Sequence, residues 1–188
     1  MAQTRLVIDG YGQLELNNVA FRRDGRVEAQ CALDATDFAA VPAENGMLLA
    51  VDKIAGTVKM PGVSEVLPVG LNYTSEHMYD ERANALKNFK LTPEDGFYPR
   101  IGYLAVGDKF TTNCVSYDPA VDDAWTAEDK FVEALGEIAT TKLYGTQSAD
   151  GSILVSATAP TEGIKLLVIQ KTTMPDGQLG VKFQVIGA

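Results

Sequence analysis

Hydrophobic and polar positions alternate with a period of two along most of this chain. The clearest case is FYPRIGYLAVGDKFTTNCVSY, Phe97 to Tyr117, where Gly107-Asp108 separates two apolar runs. After that turn Phe110, Thr112, Cys114 and Ser116 fall on one face, and Lys109, Thr111, Asn113, Val115 and Tyr117 on the other. Strand side chains alternate in this way, and Phe, Thr, Val and Tyr suit a pleated, half-buried surface. The same reading predicts strands over Arg5–Ile8, Gln13–Phe21, Val27–Leu33, Met47–Asp52, Thr57–Met60, Ser152–Thr158, Ile164–Gln170 and Leu179–Ile186. Val66–Leu71 is a further strand, which Pro68 assigns to a sheet edge or a bulge because proline cannot donate to a ladder.

Turn chemistry punctuates these runs. Asp-Gly pairs stand at Asp9-Gly10, Asp24-Gly25, Asp95-Gly96, Asp150-Gly151 and Asp176-Gly177, with Asn45-Gly46 beside them. Tight hairpins require φ > 0, which these pairs supply.

A helical period appears twice. Glu76–Phe89 carries Tyr79, Ala83 and Leu86 on one stripe, with Ser75 as its N-cap. Ala127–Ile138 carries Phe131, Leu135 and Ile138, with Thr126 and Asp129 in a capping arrangement. Asp34–Ala39 predicts a single capped turn. The sum is an α+β, β-dominated fold: antiparallel sheets or a barrel-like sandwich with two short amphipathic helices.

Composition then narrows the function. At 188 residues the chain is one compact domain or two small lobes. The acidic segment from Tyr117 to Asp129 is the candidate boundary, giving a β-rich main lobe with one helix over 1–120 and a smaller lobe over 121–188. The net charge of −9 argues against non-specific nucleic-acid binding, which draws on clustered Lys and Arg. The N-terminal apolar run ends at Asp9 and reads as a strand start, and no run approaches the length of a membrane span. Cys31 and Cys114 are the two cysteines, in unrelated contexts, and read as free thiols.

Catalytic constellations are hard to build from this sequence. His77 is the single histidine, so any Ser-His-Asp or Cys-His arrangement has to pass through it. No phosphate-binding glycine loop or nucleophile elbow occurs. The acidic stretch 117–129, with Asp118, Asp122 and Asp123, lacks EF-hand spacing and leaves calcium binding as an open alternative. Asn72-Tyr73-Thr74 is a glycosylation sequon with no secretion signal beside it. These absences predict no enzyme activity, no cofactor and no metal. The positive feature is aromatic. Tyr73, Tyr79, Phe89, Phe97, Tyr98 and Tyr103 crowd one segment, which reads as core or as an interface enriched in aromatics and Arg. Phe97, Tyr98, Arg100 and Tyr79 are the candidate interface residues.

The block LPVGLNYTSEHMYDERANALKNFKL followed by FYPRIGYLAVGDKFTTNCVSYD resembles a family of small head-associated proteins from tailed phages and prophages of gut Firmicutes, and RLVIDGYGQLELNNVAFRRDGRVEAQCAL is similar in texture. The resemblance implies a capsid decoration or cement protein, assembled in host cytoplasm and located on the virion. Its implied partners are the major capsid protein and further copies of itself, with neither nucleic acid nor membrane. A tail or connector component, or a β-rich carbohydrate-binding module or enzyme, are the alternatives.

Overall fold

A computed structural model describes residues 3–62, 66–74, 90–96, 98–119, 122 and 124–188. The helix expected over Glu76–Phe89, with His77 and Tyr79, and the expected interface residue Phe97 lie outside the described residues.

The described chain is β-dominated. In order it forms β1 (Thr4–Arg5), β2 (Leu14–Asn18), α1 (Ala20–Arg23), β3 (Ala32–Leu33), β4 (Ala43–Glu44), β5 (Leu48–Asp52), β6 (Thr57–Lys59), β7 (Val69–Asn72) and β8 (Lys90–Leu91). It continues with β9 (Ile101–Gly102), β10 (Lys109–Thr112), β11 (Val115–Tyr117), α2 (Glu128–Ala134), β12 (Tyr144–Gln147), β13 (Ile153–Ser156), β14 (Lys165–Thr173) and β15 (Leu179–Gly187). An eight-stranded sheet runs β1-β11-β13-β12-β14-β15-β10-β2, a five-stranded sheet β3-β6-β5-β7-β9, and β4 pairs with β8. Most pairings are antiparallel; β11 with β13 and β3 with β6 are parallel.

The large sheet is curled, and chain connectivity requires it. Strands β10 and β11 are joined by Asn113 and Cys114 alone, yet four strands separate them in the sheet order. Laid flat, those five spacings would span roughly 24 Å. Three Cα steps reach at most about 11 Å. The sheet therefore wraps until its two ends approach. Phe110, Val115, Ile153, Val155, Leu166, Val168, Val181, Phe183 and Val185 fill the concave side, all buried. Phe131 of α2 and Leu135 at its C-cap join this core, where Phe131 stacks on Tyr117 at 4.8 Å and meets Trp125 edge-on at 5.2 Å.

A second core, built from Ala29, Leu33, Phe38, Met47, Leu49, Val51, Val58, Leu91, Ile101 and Cys114, serves the five-stranded sheet. The large sheet takes β1, β2, β10 and β11 from before the acidic segment and β12 to β15 from after it. The Asp150-Gly151 turn reaches across to the other sheet, where the Gly151 carbonyl accepts the Leu48 N–H at 2.8 Å.

Several local expectations are corrected. The strand read through Lys109–Tyr117 breaks at Asn113-Cys114, so Phe110 and Val115, assigned by alternation to opposite faces, share one core. The break is held by side chains: Thr112 Oγ1 accepts Cys114 N–H at 3.0 Å, and Asn113 Oδ1 accepts Gln13 N–H at 2.6 Å. The strand after Pro68 is interior, with β5 on one side and β9 on the other, because β7 begins only at Val69 and the Pro68 carbonyl still accepts Val51 N–H. Gln13–Phe21 ends early, since Ala20 and Phe21 turn into α1 with the Ala20 N–H on the Asp108 carboxylate at 2.9 Å. Val27–Leu33 contributes a lone bridge at Ala29 and the short β3. Thr126 does not cap α2: Ala127 is the N-cap, extended at φ −149°, which leaves Thr126 outside the helix and Asp129 in its first turn. Asp34 does cap its turn, accepting the N–H groups of Thr36 and Asp37.

Candidate interaction surfaces

The expected interface residues divide. Tyr98 is 56% exposed and Arg100 is exposed, while Pro99 between them is buried. In extended chain that alternation sends both flanking side chains outward. The mount is firm. Arg100 N–H donates to Thr74 Oγ1 at 3.0 Å, its carbonyl accepts Tyr73 N–H at 3.0 Å, and Ile101 then enters β9. The other aromatics of the segment serve the interior or its margin. Tyr73 is buried against Phe21 at 4.7 Å, and Tyr103 is half-buried with Lys53 Nζ 5.6 Å from its ring centre. Tyr79 and Phe97 lie outside the described residues, so Tyr98 and Arg100 are the two candidates that the structure places side by side.

The polar interior is structural in its geometry. Arg5 Nη2 meets Glu44 Oε2 at 2.6 Å and Cys114 Sγ at 3.3 Å, and Glu44 Oε2 also accepts Gly12 N–H at 3.0 Å. Lys90 Nζ approaches Glu44 Oε1 at 3.8 Å. Beyond Arg5, Gln3 links Ser116 and Ser148, and Ser152 Oγ donates to the Asp150 carboxylate at 2.5 Å. Burial pushes the Cys114 thiol up to about 12, only partly opposed by the nearby Arg5 guanidinium, so the thiolate needed for nucleophilic or metal chemistry is disfavoured. Asn72, the sequon asparagine, is 1% exposed and donates to the Glu44 carbonyl at 2.9 Å, which closes it to modification in the folded chain. Among the described residues no three His, Cys, Asp or Glu side chains are grouped as metal ligands, and no helix is long and apolar enough to cross a membrane. In the acidic segment Asp122 faces the Ala157 N–H and Glu128 the Val7 N–H, both at 3.4 Å.

A second surface was not legible in the sequence. Register carries a row of side chains across the convex side of the large sheet: Ser156 opposite Tyr144, Tyr144 opposite Leu167, Leu167 opposite Gln184, Gln184 opposite Lys109, and Lys109 opposite Asn18. A second row runs Gln170, Lys182, Thr111 and Glu15. Arg23 donates to Asn18 at the end of the first row, and Lys165, paired with Gly187, stands beside it. Alternation marks each residue as outward-facing, but only strand order shows that they are neighbours. On the opposite side of the larger core, a cleft of about 390 Å³ beside α2 is lined by Asp122, Lys130, Glu133 and Glu137, with Trp125 and Leu143 among its other walls.

No family model, curated protein or solved structure matches this chain.

Proposed function

We propose that this chain is a head-associated structural protein of a tailed-phage virion, a decoration or cement protein that binds the major capsid protein and associates with further copies of itself. The observation that carries the reading is the exposed Tyr98 and Arg100 pair on its fixed mount. It falls within the block whose residues resemble the phage proteins. An aromatic and an arginine presented together, with the backbone already ordered, are the residue types that dominate binding energy at protein interfaces. The rest of the fold is consistent with an attachment role. Its buried thiol is held protonated, and its two cores are filled by apolar side chains.

The test is co-sedimentation with empty capsid shells of the phage that encodes the chain. Wild-type protein pellets with the shells at a fixed stoichiometry, and Tyr98→Ala/Arg100→Ala loses at least tenfold in apparent affinity with its melting temperature unchanged. A wild-type chain that stays in the supernatant, or a double variant that binds as well as wild type, overturns the reading.

A further inference from the structure

We infer that copies of this chain join head to tail, the lysine-bearing convex face of the large sheet on one copy docking against the acidic α2 side of the next. This deepens the self-association part of the proposed function and is independent of capsid attachment.

Charge distribution carries the inference. The chain has 25 acidic and 16 basic residues, yet its convex sheet face is cationic. Lys109, Lys182, Lys165 and Arg23 come together there on or beside β10, β15, β14 and β2, and Glu15 is the one carboxylate in the two rows. Tyr144 and Leu167 continue the first row and add half-buried apolar surface. Three of the chain's ten lysines, Lys109, Lys165 and Lys182, stand on this one sheet face.

The complementary surface is arranged against its own helix. Asp129 and Glu133 stand four residues apart on α2, an unfavourable like-charge spacing. Glu133 also lies in the last turn, where the helix dipole favours cations, and Glu137 follows just beyond; the cation at that end comes from β14, where Lys171 Nζ donates to the Val132 carbonyl at 2.9 Å. Lys171 and Lys130 offset part of this, Lys130 pairing with Glu133 at 2.9 Å, against the four carboxylates of Asp122, Asp129, Glu133 and Glu137. Asp122, Glu133 and Glu137 border the cleft of about 390 Å³, which has room for a lysine or arginine side chain.

The two surfaces cannot neutralise each other within one molecule. Phe131 and Leu135 turn α2 toward the core that Phe110, Phe183 and Val185 fill from the concave side. The lysines project from the convex side of those same strands. They meet only between copies, in a heterologous contact that closes into a ring if the rotation permits.

Sedimentation velocity of the full chain tests this at about 50 mM and about 500 mM salt, which shortens the screening length several-fold. Wild type associates at low salt, and high salt weakens the association at least tenfold. Lys109→Glu/Lys182→Glu and Glu133→Lys/Glu137→Lys are each monomeric. Mixed, they associate again, because the intact acidic side of one meets the intact lysine face of the other and the two reversed surfaces are complementary as well. Glu133→Gln/Glu137→Gln weakens association without reversing charge and guards against a folding artefact; all variants are compared at matched circular dichroism. Charge variants that associate like wild type, or a mixture that stays monomeric, overturn the inference and leave the proposed function standing. A wild-type chain that is monomeric at low salt and ignores capsids overturns both.

Discussion

Arg5 and Glu44 meet at 2.6 Å where the N-terminal edge of the large sheet touches the turn before β5, with the Glu44 side chain only 5% exposed. Glu44 is shared: it also accepts Gly12 N–H and faces Lys90 at 3.8 Å. One carboxylate thus ties three chain segments together. Arg5→Ala should destabilise the fold by roughly 3 kcal/mol, because breaking a buried pair strands the remaining charge. Arg5→Met/Glu44→Leu should recover only part of that loss, since Gly12 N–H keeps no acceptor. Urea denaturation midpoints at equal slope measure both.

The two cysteines should separate by reactivity. Cys31 is half-buried, whereas Cys114 is buried with its thiol pushed up to about 12. At pH 8 a disulfide reagent should titrate at most one thiol in the native protein and two after unfolding. Equal rates for both native thiols would contradict the assigned burial.

Acid should loosen the β5–β6 hairpin. Asp52 is held below its ordinary value near 3.8, first by the Ala55 N–H and then by Lys59, whose Nζ lies 3.0 Å away. A depressed carboxylate contributes stability above its unfolded value and loses it as pH falls through the folded one. Lys59 is raised above 10.5 by the same partner, so its share persists below that value and disappears at higher pH. Asp52→Asn should lower the melting temperature at pH 7 and have little effect near pH 2. A melting curve series across pH reads this directly.

The concave side of the curled sheet should reject a single methyl group at Gly145. A Cβ there would stand 2.8 Å from Ile153 Cγ2 and 3.1 Å from Phe183 Cε1. Gly145→Ala should cost about 1–3 kcal/mol through overpacking. The paired change Gly145→Ala with Ile153→Ala, which removes the Cγ2 that the new Cβ would meet, should cost less in thermal melts than the sum of the two single changes. Failure of any loss to appear would mean that Ile153 and Phe183 do not close over Gly145 as described.

Gly145 also shows why part of the fold was hidden. β12 was not predicted from the sequence, because Tyr144-Gly145-Thr146-Gln147 has no apolar alternation; its inward position is a glycine that lets β13 and β15 side chains close over it. Pro68 misled in the other direction. It marked an edge or a bulge, although the strand simply starts one residue later. By contrast, β5, β6, β13, β14 and β15 were legible because alternation and Asx-Gly turns are local signals that burial of one face enforces. At the candidate surfaces, Tyr98 and Arg100 could be named from residue type alone, whereas the lysine rows required the register.

By itself, the sequence determined a β-rich chain, most of its strands, its hairpin turns and the poverty of its catalytic inventory. These follow from side-chain period and turn chemistry, which operate over a few residues. The tertiary structure decided how the strands are ordered. The two-residue link from β10 to β11 curls the sheet, puts Phe110 and Val115 in one core, and gathers lysines from distant strands onto one convex face. Strand order depends on packing between segments far apart in the chain, and a period of two carries no record of which strand lies beside which.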